Sequence, residues 1–184
     1  MKKKQSHQHR IEFEINYDKA IEAVLYVLAK SKSKAPVNLY TVLKIIFEAD
    51  KTHLKLHGRP VTGDTYIKME HGTVPSSIYD MIKGDPAGLA ELGIKMYPFE
   101  KVDGYYLKAK RKPNLDCFSE SDLEALEQGI KKYLHLSFSQ VKAKNHEEKC
   151  WIESEMNQPI DFALLIEDQE MLETLQNSPL RLVV

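Results

Sequence analysis

The stretch from Asp50 to Asp80, DKTHLKLHGRPVTGDTYIKMEHGTVPSSIYD, decides how the rest of the chain reads. It picks up the end of an apolar helical stripe, passes His53 and His57, stops at Gly58 and continues into a segment dense in Gly, Pro, Asp and Tyr. Upstream, Leu39, Val42, Leu43, Ile46 and Phe47 recur at helical spacing after Pro36, with Asn38 as the N-cap. Gly58 supplies a left-handed stop. At about 100° per residue, Asp50, His53 and His57 share the face of Leu39, Val42 and Ile46, so the stripe turns polar without turning outward. Two readings follow. An acid and two imidazoles spaced three and four apart can converge on one ion, as in a metal-dependent hydrolase. Alternatively they are satisfied inside the protein, Asp50 for example by a cation such as Arg59. No HExxH motif is present, so the internal reading is the expectation, with no metal and no cofactor.

Downstream, Arg59-Pro60-Val61-Thr62-Gly63-Asp64 reads as a rigid, solvent-facing turn in which proline fixes one dihedral and glycine permits a positive one. Thr65 to Met69 alternate as a short strand, and Gly72 to Ser76, with Pro75, reads as a second turn. Ser76 or Ser77 can then cap a short helix carrying Ile78, Tyr79, Met81 and Ile82. The glycines are too far apart, and lack the Lys-Ser/Thr ending, for a phosphate-binding loop. Residues 84 to 93 read as a flexible connector. Ile94 to Phe99 and Tyr105 to Lys110 read as a hairpin closed through Asp103-Gly104, with Tyr105 and Tyr106 on opposite faces. Its cations Lys108, Lys110, Arg111 and Lys112 can contact single-stranded nucleic acid, although lysines guarding a solvated edge explain them with less.

Phe118-Ser119-Glu120-Ser121-Asp122 carries a capping signal for a helix with Leu123, Leu126, Ile130 and Leu134 as its stripe. Ser137 starts a further helical turn. His146, Glu147 and Glu148 suggest acid-base chemistry, but adjacent helical residues diverge by about 100° and cannot face one substrate. Helix-terminal acids beside a packing anchor, Trp151, are the expectation. A charged final helix near Glu167 to Gln176 precedes an apolar end after Pro179.

Toward the N-terminus, Asn16 caps a helix whose stripe is Tyr17, Ala20, Ile21, Val24, Leu25 and Leu28, ended by the Ser-Lys run at 31 to 34. Ile11, Phe13 and Ile15 alternate like a strand. The basic start, MKKKQSHQHR, has nothing to bury and reads as a mobile arm.

Composition narrows the function classes. With 26 basic against 27 acidic residues in 184, the chain is no strongly basic nucleic-acid binder. Cys117 and Cys150 are too few for a disulfide framework or a thiolate zinc site. No apolar run reaches the roughly 20 residues of a membrane span. A cytoplasmic protein without a membrane partner is expected. No nucleophile has an adjacent base, so no enzyme signature emerges.

The order YDKAIEAVLYVLAK, LKIIFEADKTHLKLHGRPVTGDTY, GTVPSSIYDMIKG, FSESDLEALEQGIKKY and NHEEKCW resembles the Panacea domain family, which includes SocA-like antitoxins and phage-associated proteins similar to GepA. The resemblance spans roughly residues 17 to 155. Its most specific part is His57-Gly58-Arg59-Pro60 with Gly63-Asp64 and Tyr66, and the chain departs from the family's usual Gly-Pro-Val-Pro at Gly72-Thr73-Val74-Pro75. The resemblance implies an α+β, predominantly helical single domain with a small antiparallel sheet or hairpin. It implies an antitoxin that neutralises a cognate protein toxin by direct contact, with an adaptor role toward a cytosolic protease as an extension. The expected organisation is a basic arm at 1–10, the domain at 11–167 and a C-terminal helix and tail at 168–184. His57, Gly58, Arg59, Pro60, Gly63, Asp64, Tyr66, Gly72 and Pro75 are the motif or partner-contact candidates, led by Arg59 and Tyr66. A homo-oligomer is compatible with this reading. The rivals are a DNA-binding autoregulator, although nucleic acid is not the expected partner, and the hydrolase built on Asp50, His53 and His57.

Overall fold

A computed structural model describes residues 11–31 and 37–178. The expected arm, most of the Ser-Lys run, Pro36 and the end from Pro179 lie outside the described residues. In chain order the elements are α1 (Tyr17–Lys30), β1 (Val37–Asn38), α2 (Leu39–His57), β2 (Tyr66–Met69), β3 (Gly72–Pro75), α3 (Ser76–Lys83) and α4 (Pro86–Glu91). There follow β4 (Phe99–Val102), β5 (Tyr106–Ala109), α5 (Glu120–Tyr133), α6 (Phe138–His146), α7 (Lys149–Glu153) and α8 (Gln169–Asn177), with 3-10 turns at Leu115–Cys117 and Phe162–Leu165. The fold is α+β and mostly helical.

The caps that the sequence signalled start the main helices. Asn16 Oδ1 accepts from the Lys19 N–H at 3.0 Å and Asn38 Oδ1 from the Tyr40 N–H at 2.9 Å. Gly58, at φ 70°, closes α2 with its N–H on the Leu54 carbonyl. Ser119 and Asp122 form a reciprocal capping box on α5, as do Ser137 and Gln140 on α6.

α2 is the spine. Val42, Leu43, Ile45, Ile46 and Ala49 enter the main core with α1, α5 and the three-stranded sheet. Phe47 and Leu54 enter a second cluster with Ile11, Tyr66, Cys150, Ile160, Phe162 and Leu165. Each such side chain stabilises by about 1.5–3 kcal/mol on burial. The helix is therefore buried on nearly all sides, and Lys44 is fully enclosed although a charge in an amphipathic stripe ordinarily marks the wet face. α5 comes close enough that a Cβ on Gly129 would fall 2.5 Å from the Ile45 carbonyl oxygen.

Several expectations are corrected. Gly72 to Pro75 is not a turn but strand β3, pairing antiparallel with β2 from Tyr66↔Pro75 to Met69↔Gly72. Its turn-like composition yields to the burial of Thr73 and Val74. Residues 84 to 93 contain α4, capped by Asp85 through the Gly88 N–H at 2.9 Å, rather than only a connector. The second hairpin pairs Phe99↔Ala109 to Val102↔Tyr106, so its first strand begins at Phe99, where the expected Ile94 run ends. Its tip is the three-residue loop Asp103-Gly104-Tyr105, in which Asp103 and Gly104 both take positive φ, 46° and 77°. β1 joins this hairpin in the order β1-β5-β4. Among the described residues the Ile11 to Ile15 segment carries a single bridge position, Glu14, rather than a run of strand, and Ile11 plugs the second cluster. Tyr105 and Tyr106 are both exposed, in keeping with the expectation that at most one heads inward. No helix among the described residues is long and apolar enough to cross a membrane.

Candidate functional site

After Gly58 the chain doubles back along the last turns of α2, and two buried carboxylates organise it. Asp50 accepts from the Thr62 N–H at 2.8 Å, the Thr62 hydroxyl at 2.6 Å and the Tyr66 hydroxyl at 2.9 Å. The Tyr66 ring is wedged edge-on between Phe47 and Phe162, with centroids 5.1 and 5.9 Å away. Asp64 accepts the Ser77 and Ile78 N–H groups at 3.0 and 2.8 Å and so caps α3 from a distance. That replaces the expected Ser76 or Ser77 cap, because no side chain adjacent to α3 makes one. Burial pushes both carboxyls up to about 6 against the pull of these donors.

A third carboxylate ties the turn to α1 and α5. Asp122 accepts from Lys19 Nζ at 2.9 Å, from an Arg59 guanidinium nitrogen at 2.9 Å and from the Ser119 N–H at 3.0 Å. Burial opposes its ionisation, but the bonds from Lys19, Ser119 and Arg59 outweigh it and hold the carboxyl down at about 2. The expected pairing of Asp50 with Arg59 is thus wrong: Arg59 extends toward α5, and Asp50 is satisfied by neutral donors. His53 Nδ1 lies 2.7 Å from the Arg59 carbonyl, which only accepts, so this nitrogen carries the proton. Nε2 then faces the Ser121 hydroxyl at 3.0 Å, and burial lowers the ring's affinity for a second proton.

The hydrolase reading finds no geometry to support it. Asp50 and His53 are occupied by separate internal partners, and His57 packs tilted against His53 at a centroid distance of 4.4 Å. Among the described residues no group of three or more His, Cys, Asp or Glu is disposed to hold a metal ion. His146 ends α6, and Glu147 and Glu148 form the link to α7 rather than continuing the helix, so the three are not successive helical positions as expected. His146 stacks on Trp151 at 3.8 Å, and the Trp151 N–H donates to the Met69 carbonyl. Glu148 meets Lys51 at 2.6 Å. Of the hairpin cations, Lys110 pairs with Glu100 and Arg111 with Glu22.

Of the nine motif candidates, Pro60, Gly63, Asp64, Tyr66, Gly72 and Pro75 are buried, so the turn does not face solvent as expected. His57 is exposed, Gly58 is half-buried, and the Arg59 side chain is 27 % exposed. Tyr66 has no surface to offer a partner; Arg59 has some. Two polar centres escaped the sequence reading. One is Asp122 as a hub, whose only local signal is its capping box with Ser119. The other is Lys44, whose ammonium donates to the Thr73 carbonyl beside Asn145, while Asn145 Oδ1 takes the Thr73 N–H at 2.6 Å. Burial lowers Lys44 to about 7.

With the geometry in place, the chain matches the family model described as antitoxin SocA-like, Panacea domain, over residues 42–152. No curated protein and no solved structure matches the chain.

Proposed function

Because the chain belongs to the SocA-like antitoxin family through its Panacea domain, we propose that it is the antitoxin of a toxin–antitoxin pair and neutralises a cognate protein toxin by direct contact. The family match across α2 to α7 carries this reading. It is supported by the site: the polar side chains of the Asp50 to Tyr66 segment hold the fold together, so activity rests on surface rather than on a reaction centre. Arg59 is the motif residue with both an exposed portion and the chemistry of an interface anchor.

The test is co-expression with the adjacent small reading frame. Rescue of growth together with co-purification of the two chains is the expected result. A toxic neighbour that is neither rescued nor bound overturns the proposal. Toxin half-life in the rescued cells separates occlusion, which leaves the toxin intact, from delivery to a cytosolic protease, which shortens it. Arg59→Ala is expected to weaken rescue by more than its loss of thermal stability accounts for if Arg59 touches the toxin. Loss of rescue only in proportion to unfolding assigns Arg59 to the Asp122 hub alone.

A further inference from the structure

One cavity of about 320 Å³ has a wall that is almost wholly aromatic. Asn38 and Tyr40 come from the start of α2, His71 from the β2–β3 turn, Tyr105 and Tyr106 from the β4–β5 turn, and Phe138 from the first residue of α6. Tyr40 sits among the others, its ring 5.2 Å from Phe138, 6.1 Å from His71 and 6.3 Å from Tyr105, the last nearly parallel to it. Tyr105, Tyr106 and Phe138 keep 58, 42 and 42 % of their surface in solvent. Four elements separated in sequence thus converge to expose aromatic rings that the core does not use, a pattern that marks a recognition surface.

The chemistry of the wall selects the guest. Among the described residues no Asp, Glu, Lys or Arg lines the cavity, and the Asn38 side-chain oxygen is taken by the Tyr40 N–H; the polar groups that remain are the hydroxyls of Tyr40, Tyr105 and Tyr106, the His71 ring and the Asn38 NH2, and the phenol oxygens can accept from the N–H groups of a guanidinium. The N-termini of α2 and α6 border the cavity, but Asn38 and Ser137 cap them, which weakens any claim on an anion. The faces of the rings carry negative potential, and the complement to several such faces is a cation. We infer that this cavity is an aromatic cage for a cationic side chain of the protein partner, an arginine whose planar guanidinium stacks on the tyrosine and phenylalanine rings. The assignment of that arginine to a toxin rests on the antitoxin reading above; the preference of the cavity for a cation does not.

The test has two arms. N-acetylarginine amide and N-acetylcitrulline amide, which share a shape and differ in charge, are titrated into the full chain while the tyrosine and phenylalanine ring resonances are followed by NMR. Saturable shifts at Tyr40, Tyr105 and Phe138 are expected with the arginine probe, with binding about tenfold weaker for citrulline, and about tenfold weaker for the arginine probe in Tyr105→Ala once its circular dichroism and melting match those of the unaltered chain. Equal binding of the two probes, or saturation by neither, overturns the cage. In the second arm Tyr105→Ala and Phe138→Ala are compared with the unaltered chain in the growth-rescue assay. Undiminished rescue by both variants overturns the use of the cage by the partner. Failure of the unaltered chain itself overturns the antitoxin reading, and the arginine arm then decides the cage alone.

Discussion

Replacing Lys44 by Met removes an amine that the fold encloses completely and that, among the described residues, donates to the Thr73 carbonyl and to no carboxylate. Its ordinary value of 10.5 drops to about 7 in the fold. Between those limits the unfolded chain binds the proton and the folded chain does not, so stability rises with pH across the window. Integrating the difference, with the half-titrated ends allowed for, gives a penalty at pH 7 of about 4 kcal/mol relative to pH 10.5. Lys44→Met removes that penalty but leaves the Thr73 carbonyl without its amine, at a cost of about 1 kcal/mol. The variant is therefore expected to be more stable than the parent by about 2–3 kcal/mol at pH 7, the gap vanishing near pH 10. Urea unfolding of both chains from pH 7 to 10 measures this, and the comparison cancels the titration of every other lysine and tyrosine. A gap that stays constant with pH, or a variant less stable than the parent at pH 7, refutes the reasoning.

Asp64→Ala removes the remote cap of α3 and is expected to cost about 1–2 kcal/mol in thermal unfolding, with hydrogen exchange at Ser77 and Ile78 accelerating first. Gly129→Ala gains about 1 kcal/mol of helix propensity yet forces a Cβ to 2.5 Å from the Ile45 carbonyl oxygen, so a net loss of about 1–3 kcal/mol is expected; a stabilised variant would contradict the close approach of α2 and α5. At acid pH the carboxylates act in opposite senses. Asp122, held at about 2, gives stability that is lost as pH falls from about 4 to 2, whereas Asp50 and Asp64, raised to about 6, favour the protonated fold and lose stability as pH rises from about 4 to 6. Calorimetry from about pH 4 down to about pH 2 is expected to show the acid-side loss, and Asp122→Asn should flatten it.

The parts of this fold that were legible in the sequence are those set by local chemistry. Asn16, Asn38 and Ser119 cap the helices they precede because the partner N–H lies within three residues, and Asp103-Gly104 closes a hairpin because few other pairs adopt two positive φ values. β3 was illegible because Gly72, Thr73 and Pro75 carry turn propensity, and only the pairing partner Tyr66 to Met69 and the enclosing helices make them a strand. The site divided in the same way. The spacing of Asp50 and His53 correctly turned them inward, whereas His57, expected on the same face, is exposed at the end of α2; their partners could not be read, since Ser121 lies 68 residues from His53 and Asp122 lies 63 from Arg59. Lys44 was hidden for a related reason. Periodicity describes one buried face, and α2 has apolar neighbours on almost every side.

The sharing of α2 between two apolar clusters bears on where the chain can be cut. The segment matched by the family model begins at Val42 and ends at Ile152. Trimmed to those borders, the protein loses Lys19 from Asp122 and the Asn16 amide from the Thr62 carbonyl on one side. On the other it loses Ile160, Phe162 and Leu165 from the Tyr66 ring. The family signature is therefore shorter than the folding unit, and limited proteolysis of the intact chain should spare both flanks of the segment.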